Sequence, residues 1–157
     1  MIDKYHMRHF FTNNVVLLTS TVRCFYQLVK EEIPDLAQFL DKVCVPVDVF
    51  APSWFQTIFV GTELDDEFTV RIWDMFLLEG QPFLYKVSLA LLEMLKEHIM
   101  KSNLEVLMKI LCLKRGYVDG LIDIDLLIEN AMKIKNHPCM DPTNEEYHPM
   151  KHDVPSI

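Results

Sequence analysis

The chain has 157 residues, a length typical of one domain, since domains usually hold roughly 100–200 residues. Half of the residues are hydrophobic, so there is enough apolar surface for a packed core, and disorder along the whole chain is excluded. The formal net charge of −8 argues against nucleic acid and anionic membrane surfaces as partners, because both are bound through a cationic field. The four glycines also argue against a glycine-rich phosphate loop.

Apolar residues spaced three and four positions apart predict helices in the first part of the chain. The first predicted helix follows the polar run 12–14, whose side chains suit an N-cap. The second begins near Pro34, because proline is tolerated in the first turn. The third begins around Pro52, and we expect it to end at Gly61. The apolar stripe of the first helix consists of Val15, Leu18, Val22, Phe25 and Val29.

The second half of the chain predicts further helices. The acids at 65–67 open a fourth helix, where negative charge complements the helix dipole, and Gly80 ends it. Pro82 begins a fifth helix, which we expect to end near Lys101. Ser102 and Glu105 form a capping-box pattern for a sixth helix that ends before the glycine at 116.

A seventh helix is expected to start with Asp119 or Asp123 as its cap and to carry Leu127, Ala131 and Ile134. Prolines and polar residues from His137 onward predict an irregular tail. The sequence therefore predicts an all-α fold of six to seven packed helices in one domain.

The cysteines and the hydropathy pattern indicate the compartment. Cys24, Cys44, Cys112 and Cys139 are scattered and form no CxxC pair, so we expect reduced and mostly buried thiols. No segment reaches the roughly 20 apolar residues that span a bilayer, and no signal peptide is apparent. The sequence therefore predicts a cytoplasmic protein without a transmembrane segment.

Candidate catalytic and metal-binding residues are few. The pairs His6 with His9 and His148 with His152 lack the HExxH spacing of a zinc site. The acids at 63–67 lack the alternating oxygen ligands and central glycine of a calcium loop. Nucleophile elbows and Walker loops do not occur. We therefore expect no catalytic residue, no cofactor and no metal ion.

Two features of the third and fourth predicted helices have ordinary structural interpretations. Arg71 has Glu67 four residues before it and Asp74 three residues after it, so we expect a local ion pair. Large aromatic residues at helical steps are typical of a core, because they dominate core burial. These aromatics are Trp54, Phe55, Trp73 and Phe76.

Two runs of sequence carry a family resemblance. Residues 51–59 read APSWFQTIF, and residues 70–80 read VRIWDMFLLEG. Together they resemble the W-F-x-x-x-F and R-[I/L]-W-D-x-[F/L]-[F/L]-x-E-G motifs in the C-terminal half of the TBC domain of Rab GTPase-activating proteins. The flanks at 7–11, 28–40 and 83–92 agree. The motif residues, expected to be structural, are Trp54, Phe55, Arg71, Trp73, Asp74, Glu79 and Gly80.

The resemblance implies an all-α lobe over 5–134, followed by the tail at 135–157, and a Rab-type small GTPase as partner. In this family an arginine from an I-x-x-D-x-x-R motif and a glutamine from a Y-x-Q motif act on the nucleotide, and both belong to the N-terminal lobe. Neither motif occurs here: Tyr26 and Gln27 are adjacent, and Gln56 lies inside the tryptophan motif.

The missing motifs shape the expected function. We expect the chain not to be an enzyme as it stands and to activate a GTPase little by itself. It would pair with a separate N-terminal lobe or self-associate, and it would reach endomembranes only through its partners. The alternative is a non-catalytic helical adaptor that binds another protein.

Overall fold

A computed structural model describes residues 15–141 and 143–146, with side chains of the first helix described from residue 18 onward. This part of the chain contains seven α-helices and no strand, which confirms the all-α prediction. Short 3-10 turns follow the second and the seventh helix, at Val47–Val49 and Pro138–Met140. The helices are α1 Val15–Glu32, α2 Pro34–Lys42, α3 Ala51–Thr57, α4 Asp66–Glu79, α5 Gln81–Lys101, α6 Leu104–Leu111 and α7 Ile124–Lys133.

The centre of the fold is α5, a helix of 21 residues. Residues 83–92 are buried without interruption, which is typical of a helix enclosed on all sides. α7 packs along α5, and α1, α2, α4 and α6 also contact it. The motif residues lie on α3, on α4 or, in the case of Gly80, between α4 and α5.

Side-chain caps fix the starts of three helices. The carboxylate of Asp65 accepts a hydrogen bond from the N–H of Phe68 at the start of α4. Asp123 caps α7 by accepting from the N–H of Leu126, which selects one of the two predicted caps. The carboxylate of Asp119 accepts instead from the N–H of Gly116 in the preceding loop.

The capping box predicted for α6 is wrong. Asn103, not Ser102, is the N-cap, and its side chain accepts a hydrogen bond from the N–H of Val106. The carboxylate of Glu105 lies 2.7 Å from Lys109 Nζ, so it pairs along the helix rather than reaching back to the cap. Asparagine caps as well as serine does, and here it stands one residue nearer the helix.

The predicted end of α3 at Gly61 is also wrong. The helix ends at Thr57, and Ile58 and Phe59 follow in the left-handed region, with φ of 49° and 64°. Such backbone strain costs roughly 1–2 kcal/mol per residue. Both side chains are fully buried, so apolar burial offsets the strain and the turn needs no glycine.

The cysteines are less buried than expected. Cys24 and Cys139 are buried, whereas Cys44 and Cys112 are exposed. Cys139 belongs to the 3-10 turn after α7, where a hydrogen bond with the Cys24 thiol and burial raise the pKa of its own thiol. Part of the predicted tail thus packs against the helical core.

Several predictions fall outside the described residues: the cap at 12–14, the two histidine pairs and the family flank at 7–11. Over the part of the chain that the structure does describe, none of the helices combines the length and the apolar character needed to cross a membrane.

Candidate functional site

Trp54 of the first motif is the largest fully buried side chain. Its ring packs between Phe50 and Phe59, with ring centroids 4.9 and 5.4 Å away. The indole N–H donates a 3.1 Å hydrogen bond to the carbonyl oxygen of Leu111 at the end of α6. Trp54 therefore joins α3 to a helix that lies far away in the sequence.

Phe55, the next residue, faces a different set of neighbours. Its ring meets Phe25 of α1 edge-on, with centroids 5.3 Å apart. It also packs at 5.2 Å against the ring of Tyr85 on α5. Adjacent motif residues on α3 thus anchor it in two directions, toward α6 and toward the α1–α5 contact.

The second motif lies on α4, and the first turn of that helix is joined to the first motif through aromatic rings. Phe59, which packs on Trp54, meets Phe68 in the first turn of α4 edge-on at 6.1 Å. Trp73 is half-buried, and its ring packs edge-on against the buried Phe76 at 6.0 Å. The Trp73 indole N–H is buried, yet no acceptor meets it in the described part of the chain.

Arg71 does not form the predicted local ion pair with Glu67 or Asp74. Its guanidinium lies 2.7 Å from a carboxylate oxygen of Asp125 in the first turn of α7. α4 and α7 pack against each other, so this arrangement offers a partner at hydrogen-bonding distance in a neighbouring helix. The 54-residue separation explains why local spacing gave no sign of this pair.

The remaining motif residues lie on the outer side and at the end of α4. Asp74 and Glu79 are exposed, and neither forms an ion pair with another described residue. Gly80 has φ of 80° and ψ of −163°, a conformation essentially confined to glycine. Its N–H donates to the carbonyl of Phe76, and its own carbonyl accepts from the N–H of Phe83. Gly80 is therefore the corner between α4 and α5.

The loop before α4 is tied to the loop after α6. The carboxylate of Glu63 lies 2.7 Å from Lys114 Nζ and also accepts from the backbone N–H of Arg115. The hydrogen bond from Lys114 is the main cause that lowers the pKa of Glu63 below its ordinary value, and the hydrogen bond from the Arg115 N–H also lowers it. Sequence reasoning missed this contact, which joins residues 51 positions apart.

The groups that could act on a nucleotide are dispersed. Arg23 and Arg115 are exposed on different elements, as is Gln56 on α3. His137 uses Nδ1 to accept from the N–H of Cys139, and its Nε2 lies 3.6 Å from the carboxylate of Glu31. Within residues 15–141 and 143–146, no three metal-ligating side chains come together in a way that could hold a metal ion.

Comparison with known proteins shows to which family the two tryptophan motifs belong. The family model described as the Rab-GTPase-TBC domain matches residues 1–100 of the chain. The chain belongs to this family. The match covers both tryptophan motifs and most of α5, so it includes the helices that Phe55 joins, whereas α6, which accepts the hydrogen bond from Trp54, lies beyond it.

Relatives of this TBC-family chain support the assignment. It is 33% identical over 112 residues to the ecotropic viral integration site 5 ortholog of Drosophila melanogaster, a match that covers 69% of this chain. It is 27% identical over 112 residues to Rab GTPase-activating protein eat-17 of Caenorhabditis elegans and 32% identical over 112 residues to TBC1 domain family member 30 of Xenopus tropicalis. These matches cover 69% and 63% of the chain. The chain spans only 12–13% of the length of these three relatives.

Proposed function

We propose that this chain is the C-terminal lobe of a Rab GTPase-activating module and regulates Rab-type GTPases in membrane trafficking. The lobe covers 5–134, with a tail over 135–157. The observation that carries the proposal is the aromatic framework, since Phe59 of the first family motif packs on Phe68 in the first turn of α4, the helix that carries the second motif. The family match over residues 1–100 and a relative named as a Rab GTPase-activating protein support the same assignment.

The lobe supports catalysis without performing it. The motif residues Trp54 and Phe55 have their side chains inside the fold, where they maintain its shape. The sequence contains neither family motif that supplies the arginine and the glutamine, so in this proposal the chain acts as a regulator rather than as an enzyme. An arginine that contacts the transferred phosphate accelerates GTP hydrolysis on the order of 10³–10⁵-fold. A lobe that lacks this arginine should therefore accelerate hydrolysis little by itself.

A single-turnover GTP hydrolysis assay tests this proposal. A panel of Rab proteins loaded with GTP is mixed with the chain at equal concentration, with the chain fused to an N-terminal TBC lobe of a relative, or with that lobe alone. We expect acceleration only with the fusion. Strong acceleration by the chain alone would contradict the proposal, and replacing Arg8, Arg23, Arg71 and Arg115 one at a time would then locate the active group.

A binding measurement distinguishes the adaptor alternative from the proposed Rab regulator. A lobe of a Rab regulator binds at least one Rab more tightly with a GTP analogue than with GDP. An adaptor that has lost contact with GTPases binds none of the panel in either state. Light scattering on the same samples shows whether the chain pairs with the added lobe or with itself.

A further inference from the structure

A pocket of about 320 Å³ opens where the junction of α1 and α2 meets α5 and α7. Its floor is apolar and consists of Ile33, Leu89 and Ala90, whose side chains are at most 5% exposed. Two carboxylates, those of Glu32 and Glu93, stand at its rim. The pocket therefore combines an apolar base with a negatively charged mouth.

The charge of Glu32 is poorly compensated. Glu32 is the last residue of α1, where the negative end of the helix dipole disfavours a carboxylate. It forms no ion pair with any residue that the structure describes. A cation placed in the mouth of the pocket would therefore be attracted by both the carboxylate and the helix end.

Glu93 shares its cation, Lys96, with Asp35. Lys96 Nζ lies 3.7 Å from the carboxylate of Glu93 but 2.7 Å from that of Asp35. The hydrogen bond between Lys96 and Asp35 lowers the pKa of Asp35 and raises that of Lys96, so these two form the tighter pair. Most of the attraction of Lys96 is directed to Asp35, and Glu93 can accept a second cation.

We propose that this pocket receives a lysine or arginine side chain of a partner protein. The apolar floor covers the methylene stem, because these side chains bury their stems while the charged end stays near polar groups. The carboxylates of Glu32 and Glu93 bind the charged end. The volume is at the lower end of the range for small-molecule pockets, which suits one long side chain better than a whole metabolite.

The pocket extends beyond the part of the chain that the family model matches. Glu32, Ile33 and the α5 residues lie within residues 1–100, whereas Asn130 and Ile134 complete the wall from α7 and the residue after it. Asn130 adds a polar residue to the lining of the pocket. The pocket therefore depends on how α7 packs on α5, and it does not depend on the GTPase function proposed above.

A titration with blocked pentapeptides tests the pocket in the full chain. The probes are acetyl-Ala-Ala-Arg-Ala-Ala-amide and the same peptide with norleucine, which keeps a stem but has no charge. Amide shifts of Ile33, Ala90 and Asn130 in nitrogen-15 spectra report binding. We expect saturable shifts with the arginine peptide, reduced by added salt, and none that saturate with the norleucine peptide.

Variants identify the groups responsible. Glu32→Gln and Glu93→Gln are each expected to weaken binding about two- to fivefold, the range of exposed ion pairs. Glu97→Gln is the matched control, because Glu97 lies on the same helix and pairs with Lys101 away from the pocket. Thermal unfolding of each variant checks that the fold is retained.

Three outcomes would overturn the proposal. The first is the absence of saturable shifts at the pocket with the arginine peptide. The second is an equal loss with Glu97→Gln, which would indicate a general charge effect. The third is binding of free n-butylguanidinium without binding of the peptide, which would indicate a small-molecule site.

Discussion

The indole N–H of Trp54 donates to the carbonyl oxygen of Leu111, 57 residues further along the chain. Leu111 is the last residue of α6, and the carbonyls at the end of a helix have no partner within it. The tryptophan of the first family motif thus supplies the hydrogen-bond donor for a buried carbonyl at the end of a helix. Loss of that donor leaves a buried carbonyl unsatisfied, which costs more than the hydrogen bond alone contributes.

Replacing Trp54 by phenylalanine tests this contact. We expect the free energy of unfolding to fall by roughly 1–3 kcal/mol from the unsatisfied carbonyl, with a further loss from the smaller ring, as measured by urea denaturation. Trp73→Phe is the matched control, because the indole N–H of Trp73 is buried without an acceptor in the described part of the chain. Equal losses in the two variants would show that the hydrogen bond to Leu111 contributes nothing.

The pair of Arg71 and Asp125 should contribute little to stability despite its short distance. Their side chains are 41% and 78% exposed, and exposed pairs contribute roughly 0.2–1 kcal/mol. A double-mutant cycle with Arg71→Gln and Asp125→Asn measures this coupling without the effect of Asp125 on the α7 dipole. The same cycle with Asp74→Asn should give no coupling, and coupling there would favour the local pair that the spacing predicted.

Local signals in the sequence predicted most of the helices. Gly80 marked the end of α4, the acids at 65–67 marked its start, and Asp119 or Asp123 was expected to start α7, because such residues act on backbone groups within about one helical turn. The family resemblance, carried by the two tryptophan motifs, predicted the fold and the family. Buried aromatic spacing predicted the burial of Trp54 and Phe55.

The rest depends on contacts that sequence spacing does not encode. The partner of Arg71 lies on another helix, and the acceptor for Trp54 is a backbone carbonyl, which any residue type could supply. The turn at Ile58 and Phe59 adopts positive φ without glycine, since burial of both side chains compensates for strain. The pocket at Glu32 likewise arises only where three helical segments converge.

The contact of Glu63 with Lys114 and the Arg115 N–H predicts a specific dependence on pH. These contacts lower the pKa of Glu63 in the folded state, so the stabilisation is present above the ordinary value of 4.5 and is lost as pH falls below it. Stability should therefore decline less steeply from pH 5 toward pH 3, roughly the window given by the linkage relation, in Glu63→Gln than in the unmodified chain. The measurement is urea denaturation at several pH values.

Glu67→Gln is the control for the pH experiment. Glu67 carries the same kind of carboxylate in the same region but forms no ion pair with a described residue. Glu67→Gln removes only the contribution of the helix dipole, so its pH profile should stay closer to that of the unmodified chain than the profile of Glu63→Gln does. A Glu63→Gln chain with an unchanged pH profile would show that the two loops are not held together by this carboxylate.

Gly80 should tolerate substitution less well than Gly61 does. Its φ of 80° with ψ of −163° lies in a region that side chains avoid, at a cost of roughly 1–3 kcal/mol. Gly80→Ala should therefore lower the unfolding free energy by about that amount, because the corner between α4 and α5 has to strain or shift. Gly61→Ala is the control: its backbone φ is not positive, and the added Cβ would meet only the Thr57 side chain, at 3.3 Å. Thermal and urea unfolding measure the stability of both variants. If Gly80→Ala is as stable as Gly61→Ala, the corner between α4 and α5 can adopt another conformation at no cost.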